Sequence, residues 1–134
     1  MEGIRVLLVD DEEDFRTTLA KRMAKRKVEV TEAENGPAAL ESLGKGVFDV
    51  VVLDVRMPEM DGIETLRRIK AINPRVEVIM LTGHASVESG IEGMRLGAFD
   101  YLMKPCEINE LLLKIQDAYQ RKLAQEESLE GDQV

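Results

Sequence analysis

The chain has 134 residues, enough for one domain with a hydrophobic core and too few for two. Apolar residues make up 44% of it, which excludes a wholly disordered protein, and no apolar run approaches the about 20 residues of a membrane span. The net charge of −8 argues against a domain that binds nucleic acid through its own surface. With one cysteine, Cys106, and no signal-peptide layout in residues 1–5, we expect no disulfide and a cytoplasmic location.

Hydrophobic patterning predicts five strands that alternate with five helices. The predicted strands are residues 4–9, 28–33, 48–53, 76–81 and 98–103. Helical spacing predicts a first helix from about residue 12, then helices over 38–43, 63–72 and 87–96, and a long last helix from Ile108. The second strand alternates apolar and polar residues, as an edge strand does, whereas the third is apolar throughout and therefore buried on both faces. We expect the polar stretch 125–134 to fray.

Five β-α units in succession predict an α/β fold with a parallel sheet, helices on both faces and right-handed crossovers. In such sheets, ligands bind at the carboxyl edge, where the strands end. The strand ends carry distinctive residues: Asp10 and Asp11 after the first, Asp54 after the third, Thr82 after the fourth and Lys104 after the fifth.

These side chains predict a site for a cation and a phosphoryl group. Two carboxylates 4 Å apart repel by about 4 kcal/mol at an effective dielectric constant near 20, so three of them require a counter-ion. Oxygen ligands favour Mg²⁺ or Mn²⁺ over zinc, and a cation beside a carboxylate can bridge it to a phosphoryl group. An ammonium and a hydroxyl are suited to bind phosphoryl oxygens.

Four motifs at the strand ends, in this order, resemble a known family. The motifs are Val9-Asp10-Asp11, Leu53-Asp54 followed by Met57-Pro58-Glu59-Met60-Asp61-Gly62, Leu81-Thr82-Gly83, and Tyr101-Leu102-Met103-Lys104-Pro105. Over about residues 4–122 the chain resembles a receiver domain, the phosphoacceptor module of two-component response regulators. The resemblance implies a doubly wound, flavodoxin-like (α/β)5 fold with strand order 2-1-3-4-5.

The resemblance also implies roles for the residues at the strand ends. Asp54 would take a phosphoryl group from a sensor histidine kinase or a phosphotransfer protein. Asp10, Asp11, Asp54 and the backbone carbonyl of Arg56 would hold Mg²⁺, or Mn²⁺ in its place.

Thr82 and Lys104 would bind the phosphoryl group, and Tyr101 would be an aromatic switch. Lys104-Pro105 would be a cis peptide. The signal would leave through helix 4, strand 5 and helix 5, toward an output domain or a downstream protein.

The domain organisation that we expect is a receiver domain over residues 1–122, followed by a polar tail or the start of a linker over 123–134. A stand-alone receiver and the front part of a larger regulator both stay open, as does a homodimer. We expect neither direct nucleic-acid binding by this domain nor membrane association.

Each motif also has a simpler interpretation. Asp10-Asp11 and Thr82 could be helix caps, Lys104 a surface lysine, and Tyr101 a core residue. A basic face on the first helix, which includes Arg22 and Lys25, could be a solvated surface or part of a kinase-docking surface.

Two whole-protein alternatives stay open as well. One is a Mg²⁺-dependent phosphatase. Arg56 counts against it, because such enzymes usually carry a second acid at this position. The other is a scaffold that has lost phosphorylation. Within helix 4, Gly90 and Gly93 predict either an easily opened helix or tight packing.

Overall fold

The computed structural model describes residues 3–55, 57, 60–83 and 87–132. In this part of the chain, five strands and five helices alternate. The strands are β1 (Arg5–Val9), β2 (Glu29–Ala33), β3 (Val50–Leu53), β4 (Glu77–Thr82) and β5 (Asp100–Met103). The helices are α1 (Glu13–Ala24), α2 (Gly36–Lys45), α3 (Gly62–Ile72), α4 (Val87–Arg95) and α5 (Ile108–Asp132). The strands form one parallel sheet in the order β2-β1-β3-β4-β5, which confirms the predicted architecture.

Alternation along the strands divides the core into two layers. Val6 and Leu8 of β1 face a first core, which α1 and α5 cover. Leu7 and Val9 face a second core, which includes residues of α2 and α3. All four residues of β3 are buried, whereas only one of five in β2 is, so β3 is central and β2 lies at an edge as predicted.

Two helices differ by two or more residues from their predicted bounds. Helix α2 begins at Gly36 and not at residue 38, because the side chain of Asn35 accepts a hydrogen bond from the amide of Ala38 (2.8 Å) and Pro37 is tolerated in a first helical turn. Helix α5 continues through Asp132, past the point where we expected the chain to fray. A bridge from Lys122 to Glu126 (2.8 Å), one turn apart, supports this extension. No helix within the described residues is long and apolar enough to span a membrane.

Buried ion pairs fix α5 to the amino edge of the sheet, opposite the predicted site. Glu77, at the start of β4, is 1% exposed, and Nε and Nη2 of Arg121 both contact its Oε2. Asp49, just before β3, is 2% exposed and accepts hydrogen bonds from Arg5, while Lys122 lies 3.2 Å away. Burial raises the pKa of Asp49, but these hydrogen bonds outweigh burial and hold the pKa below its usual value.

Candidate functional site at the carboxyl edge

Strand alternation brings three predicted site residues to one face of the sheet. Asp10 follows Leu8 by two positions, Asp54 follows Val52, and Lys104 follows Leu102. All three of these preceding apolar residues pack in or against the first core, on the side of α1 and α5. The backbone amides of the three site residues continue the sheet ladder: Asp10 bonds to Ala33 (3.1 Å), Asp54 to Val9 (3.0 Å) and Lys104 to Thr82 (2.9 Å). The three side chains therefore project toward the same space.

The ammonium of Lys104 is the centre of this group. Its Nζ lies 2.8 Å from Oδ2 of Asp10, 3.1 Å from Oε1 of Glu12 and 3.7 Å from Oδ2 of Asp54. The first two are hydrogen bonds, and the third is a charge contact beyond hydrogen-bond distance. The ring of Phe15 completes the surroundings, with its centroid 4.1 Å from Nζ. Lys104, for which a surface lysine was the simpler interpretation, is thus 11% exposed and bound to a carboxylate cluster.

The charges in the cluster perturb one another. Burial raises the pKa of the Asp10 carboxyl; hydrogen bonds from Lys104 and from the Glu12 amide oppose the rise, and the nearby charge of Asp54 adds to it. Burial lowers the pKa of Lys104, but its hydrogen bond to Asp10 and the charges of Asp10 and Asp54 outweigh burial, so the pKa of Lys104 lies above its usual value. Lys104 is therefore protonated throughout the physiological range and serves as the cluster's own counter-ion.

The acids present fit a divalent cation. Asp10, Glu12 and Asp54 each offer a carboxylate oxygen, and the three oxygens lie within 4.8 Å of one another. All are hard oxygen ligands, the type that Mg²⁺ and Mn²⁺ prefer. Among the described residues, Asp11 is not part of this group, and it is exposed. Its predicted role as a ligand stays a prediction, and Arg56, whose backbone carbonyl was the further predicted ligand, lies outside the described residues.

Thr82 and Tyr101 lie on the opposite face from Lys104. In β4, Thr82 alternates with Leu81 and so shares the face of Met80, which packs in the second core. Tyr101 packs against that same core and is half-buried, while Thr82 is fully buried. Thr82 and Lys104, the residues predicted to bind the phosphoryl group, thus reach the carboxyl edge from opposite faces of the sheet. Thr82 shares its face with Tyr101, the predicted switch residue.

Close backbone packing shapes the loop that follows Asp54. The amide of Gly62 donates to the carbonyl of Val55 (2.6 Å). A Cβ on Gly62 would overlap the carbonyl oxygen of Asp54 and the backbone of Val55, so only glycine allows α3 to begin this close to the site. Asp61 caps α3 by accepting from the amide of Glu64 (2.8 Å). The predicted cis peptide Lys104-Pro105 is present at the other side of the site.

Sequence reasoning missed two residues of the site. They are Glu12, which directly precedes α1, and Phe15, in the first turn of that helix. The amide of Glu12 bonds to Oδ1 of Asp10 (2.9 Å), a tight turn that returns the Glu12 side chain to the cluster. The Asp10-Xaa-Glu12 spacing was the available signal for Glu12, whereas no local signal distinguishes Phe15 from an ordinary core residue.

Comparison with known proteins decides the family. Residues 6–116 match the family model of the response regulator receiver domain. The chain belongs to this family. The receiver domain is 43% identical over 116 residues to the regulatory protein AtoC of Escherichia coli (strain K12), an alignment that covers 87% of this chain and 25% of AtoC. It is 41% identical over 117 residues to the transcriptional regulatory protein ZraR of Klebsiella oxytoca, covering 87% of this chain and 26% of ZraR.

Solved structures agree with this assignment. A CheY-like receiver domain protein from Methanospirillum hungatei JF-1 superposes with a TM-score of 0.88 at 28% identity and covers 91% of this chain and 98% of that one. NtrX from Brucella abortus gives a TM-score of 0.89 at 28% identity, over 97% of this chain and 29% of NtrX. The receiver domain thus spans about a quarter of the length of the curated relatives that it matches.

Proposed function

We propose that this receiver domain is a phosphorylation-operated switch in which Asp54 accepts a phosphoryl group from a sensor histidine kinase or a phosphotransfer protein. One observation carries the proposal: the Lys104 ammonium lies 2.8 Å from Asp10 and 3.7 Å from Asp54, at the carboxyl edge of the sheet. A nucleophilic carboxylate, a fixed cation and further acids in one place suit the transfer of a phosphoryl group. Membership of the receiver family supports the same conclusion.

In the proposed transfer, a carboxylate oxygen of Asp54 bonds to phosphorus while the bond from phosphorus to the donor histidine breaks. The phosphoryl group carries about 1.5 to 2 negative charges, which replace the single charge of the Asp54 carboxylate. Lys104 then exchanges its hydrogen bonds to Asp10 and Glu12 for bonds to phosphoryl oxygens. The hydroxyl of Thr82 donates to another phosphoryl oxygen, and the half-buried ring of Tyr101, on the same face as Thr82, responds to that movement.

The acidic cluster is the place for a divalent cation, Mg²⁺ or alternatively Mn²⁺. Asp10, Glu12 and Asp54 would hold it, with Asp11 and the backbone carbonyl of Arg56 as further predicted ligands. When bound, the cation would offset charge on the carboxylates and on the phosphoryl oxygens.

The surface between α1 and α5 is the proposed docking site for the phosphodonor protein. A pocket of about 310 Å³ lies between these helices, with Arg22 at its rim, on the face toward which Asp10 and Asp54 project. Arg22 of α1 and Lys25, the C-cap residue of that helix, are exposed and basic, in a chain whose net charge is −8. The charge reversals Arg22→Glu and Lys25→Glu are expected to slow transfer from the kinase and to leave transfer from a small phosphodonor unchanged, whereas a solvated face would leave both rates unchanged.

The proposed output surface consists of α4, β5 and α5. Ile91 and Met94 of α4 and Met103 of β5 are 56%, 48% and 61% exposed, and a group of large exposed apolar side chains suits a protein partner. The chain spans about a quarter of relatives that are transcriptional regulators, and α5 continues as a helix through Asp132. These features support residues 1–122 as the switch and 123–134 as the beginning of a connection to an output domain.

The test asks whether each chain takes up a single phosphoryl group or releases phosphate from many phosphodonor molecules. After incubation with acetyl phosphate and Mg²⁺, intact mass spectrometry should show one added phosphoryl group per chain, and none in Asp54→Asn. Asp61→Asn, an exposed acid at the start of α3 whose replacement still caps the helix, is the matched control and should label like the parent. Continuous release of many phosphate equivalents would instead support the phosphatase alternative, and no uptake would support a scaffold.

A further inference from the structure

The face of the Phe15 ring lies against the Lys104 ammonium, at 4.1 Å from Nζ to the ring centroid. This distance is well within the range of a cation–π interaction. We propose that Phe15 is a positioning residue, which holds the Lys104 ammonium where it meets a phosphoryl group on Asp54. The inference rests on the proposed function, because it assumes that Lys104 binds the phosphoryl group.

Apart from the hydrogen bond to Asp10, the carboxylate contacts of Lys104 fix its position only weakly. The side chain of Glu12 is 58% exposed, and ion pairs with exposed groups are weak. Asp54 is 3.7 Å away, beyond hydrogen-bond distance. Asp10, with a side chain that is 3% exposed, is the one rigid carboxylate that accepts a hydrogen bond from Nζ. The ring and Asp10 together therefore define the position of a long side chain with four rotatable bonds.

Phe15 is itself held by the fold. It lies in the first turns of α1 and packs against the first core. Its ring also forms part of the wall of the pocket of about 310 Å³ between α1 and α5, whose other lining residues include Leu19 and Cys106. The pocket therefore offers space beside the ring for a larger aromatic side chain at position 15.

The test compares Phe15→Leu, which keeps an apolar side chain and removes the ring, with Phe15→Trp, which keeps a ring. Leu19→Met, a volume-conserving change in the same pocket, is the matched control. The first readout is the NMR shift of the Lys104 ε-methylene protons in the unphosphorylated domain, which the ring current of Phe15 moves upfield. The second is the affinity for beryllium trifluoride with Mg²⁺, a tetrahedral phosphoryl mimic.

In Phe15→Leu, we expect the Lys104 protons to lose their upfield shift and the affinity for the mimic to fall about two- to fivefold, the factor that corresponds to a cation–π contact of ordinary strength. Phe15→Trp should retain both properties, and Leu19→Met should change neither. Unchanged Lys104 shifts in Phe15→Leu, an unchanged affinity, or a loss of affinity in Phe15→Trp equal to that in Phe15→Leu would each overturn the proposal. If the parent neither binds the mimic nor takes up a phosphoryl group, the proposed function itself fails, while the Lys104 shifts still report on the contact.

Discussion

Removing the Arg121 side chain should destabilise the domain, because it leaves the carboxylate of Glu77 buried without its main partner. Two nitrogens of Arg121 contact Oε2 of Glu77, and the guanidinium carbon lies 4.6 Å from the centroid of the Phe99 ring. Breaking a fully buried pair costs about 3–5 kcal/mol. Arg121 is 42% exposed, however, and Nζ of Lys70 lies 4.0 Å from Oε1 of Glu77, so water and a second cation reduce the cost. We expect Arg121→Ala to lower the free energy of unfolding by about 2–3 kcal/mol.

Urea unfolding measures this difference. With a slope of about 1–3 kcal/mol per molar urea, the midpoint of Arg121→Ala should fall by about 0.7–3 M. Gln120→Ala, at an exposed neighbouring position of α5, is the matched control and should unfold like the parent. In a Glu77→Gln background no buried charge remains at position 77, so Arg121→Ala should cost much less. A midpoint for Arg121→Ala within error of the parent, or an equal cost in both backgrounds, would refute this reasoning.

Three further predictions concern acid stability, the loop after the phosphoacceptor and helix α4. Because the pKa of Asp49 is depressed in the folded state, its ionised carboxylate stabilises the domain above pH about 4. This stability is lost as the pH falls through the folded-state pKa. The difference in urea midpoint between pH 7 and pH 3 should therefore be smaller in Asp49→Asn than in the parent. Gly62→Ala should lower the melting temperature, by about 4 °C per kcal/mol of strain, because a Cβ there meets backbone; a melting temperature equal to the parent's would contradict it. Gly90→Ala should slow amide exchange in α4 by adding about 1 kcal/mol of helix stability, whereas Gly93→Ala, whose Cβ would press on Met80, should gain less; equal protection in both variants would contradict this.

The architecture was predictable because the relevant signals are local and repeated. Each strand of the sheet is visible in the sequence as an apolar run or, for β2, as an alternating segment, and five alternations of strand and helix leave few topologies. Boundaries were less certain: β3 begins at Val50 and β5 at Asp100, each two residues later than the apolar patterns suggest. Burial continues beyond the hydrogen-bonded ladder, so hydrophobicity alone does not mark where a strand starts.

The site was predictable for the residues that lie on strand ends and less so for those that reach it from a helix. Asp10, Asp54 and Lys104 lie close together because the alternation along their strands places them on the same face, at the same edge of the sheet. The sequence shows this alternation. Glu12 and Phe15 meet Lys104 through the turn into α1 and the packing of that helix, which depend on tertiary contacts. For the same reason, the spacing of Gly90 and Gly93 could not decide between tight packing and an easily opened helix. In the structure, Gly93 packs closely against Met80.

The ion pairs at the amino edge of the sheet were also not predictable from local sequence patterns. Asp49 and Glu77 read as polar residues at strand starts, yet they are buried and bound to Lys122 and Arg121. Their partners lie 44 or more positions away, so no local pattern relates them. The long α5 helix takes its position from these pairs as well as from its apolar face.

The central claim is that the oxygen of one particular side chain, that of Asp54, becomes covalently bound to phosphorus. The most direct measurement traps the acyl phosphate by borohydride reduction after incubation with acetyl phosphate and Mg²⁺, and then locates the reduced residue by peptide mass spectrometry. We expect residue 54 alone to be reduced, in an amount that follows the phosphoryl uptake. Reduction at Asp10, Asp11 or Glu12 instead, or uptake without any reduced residue, would contradict it.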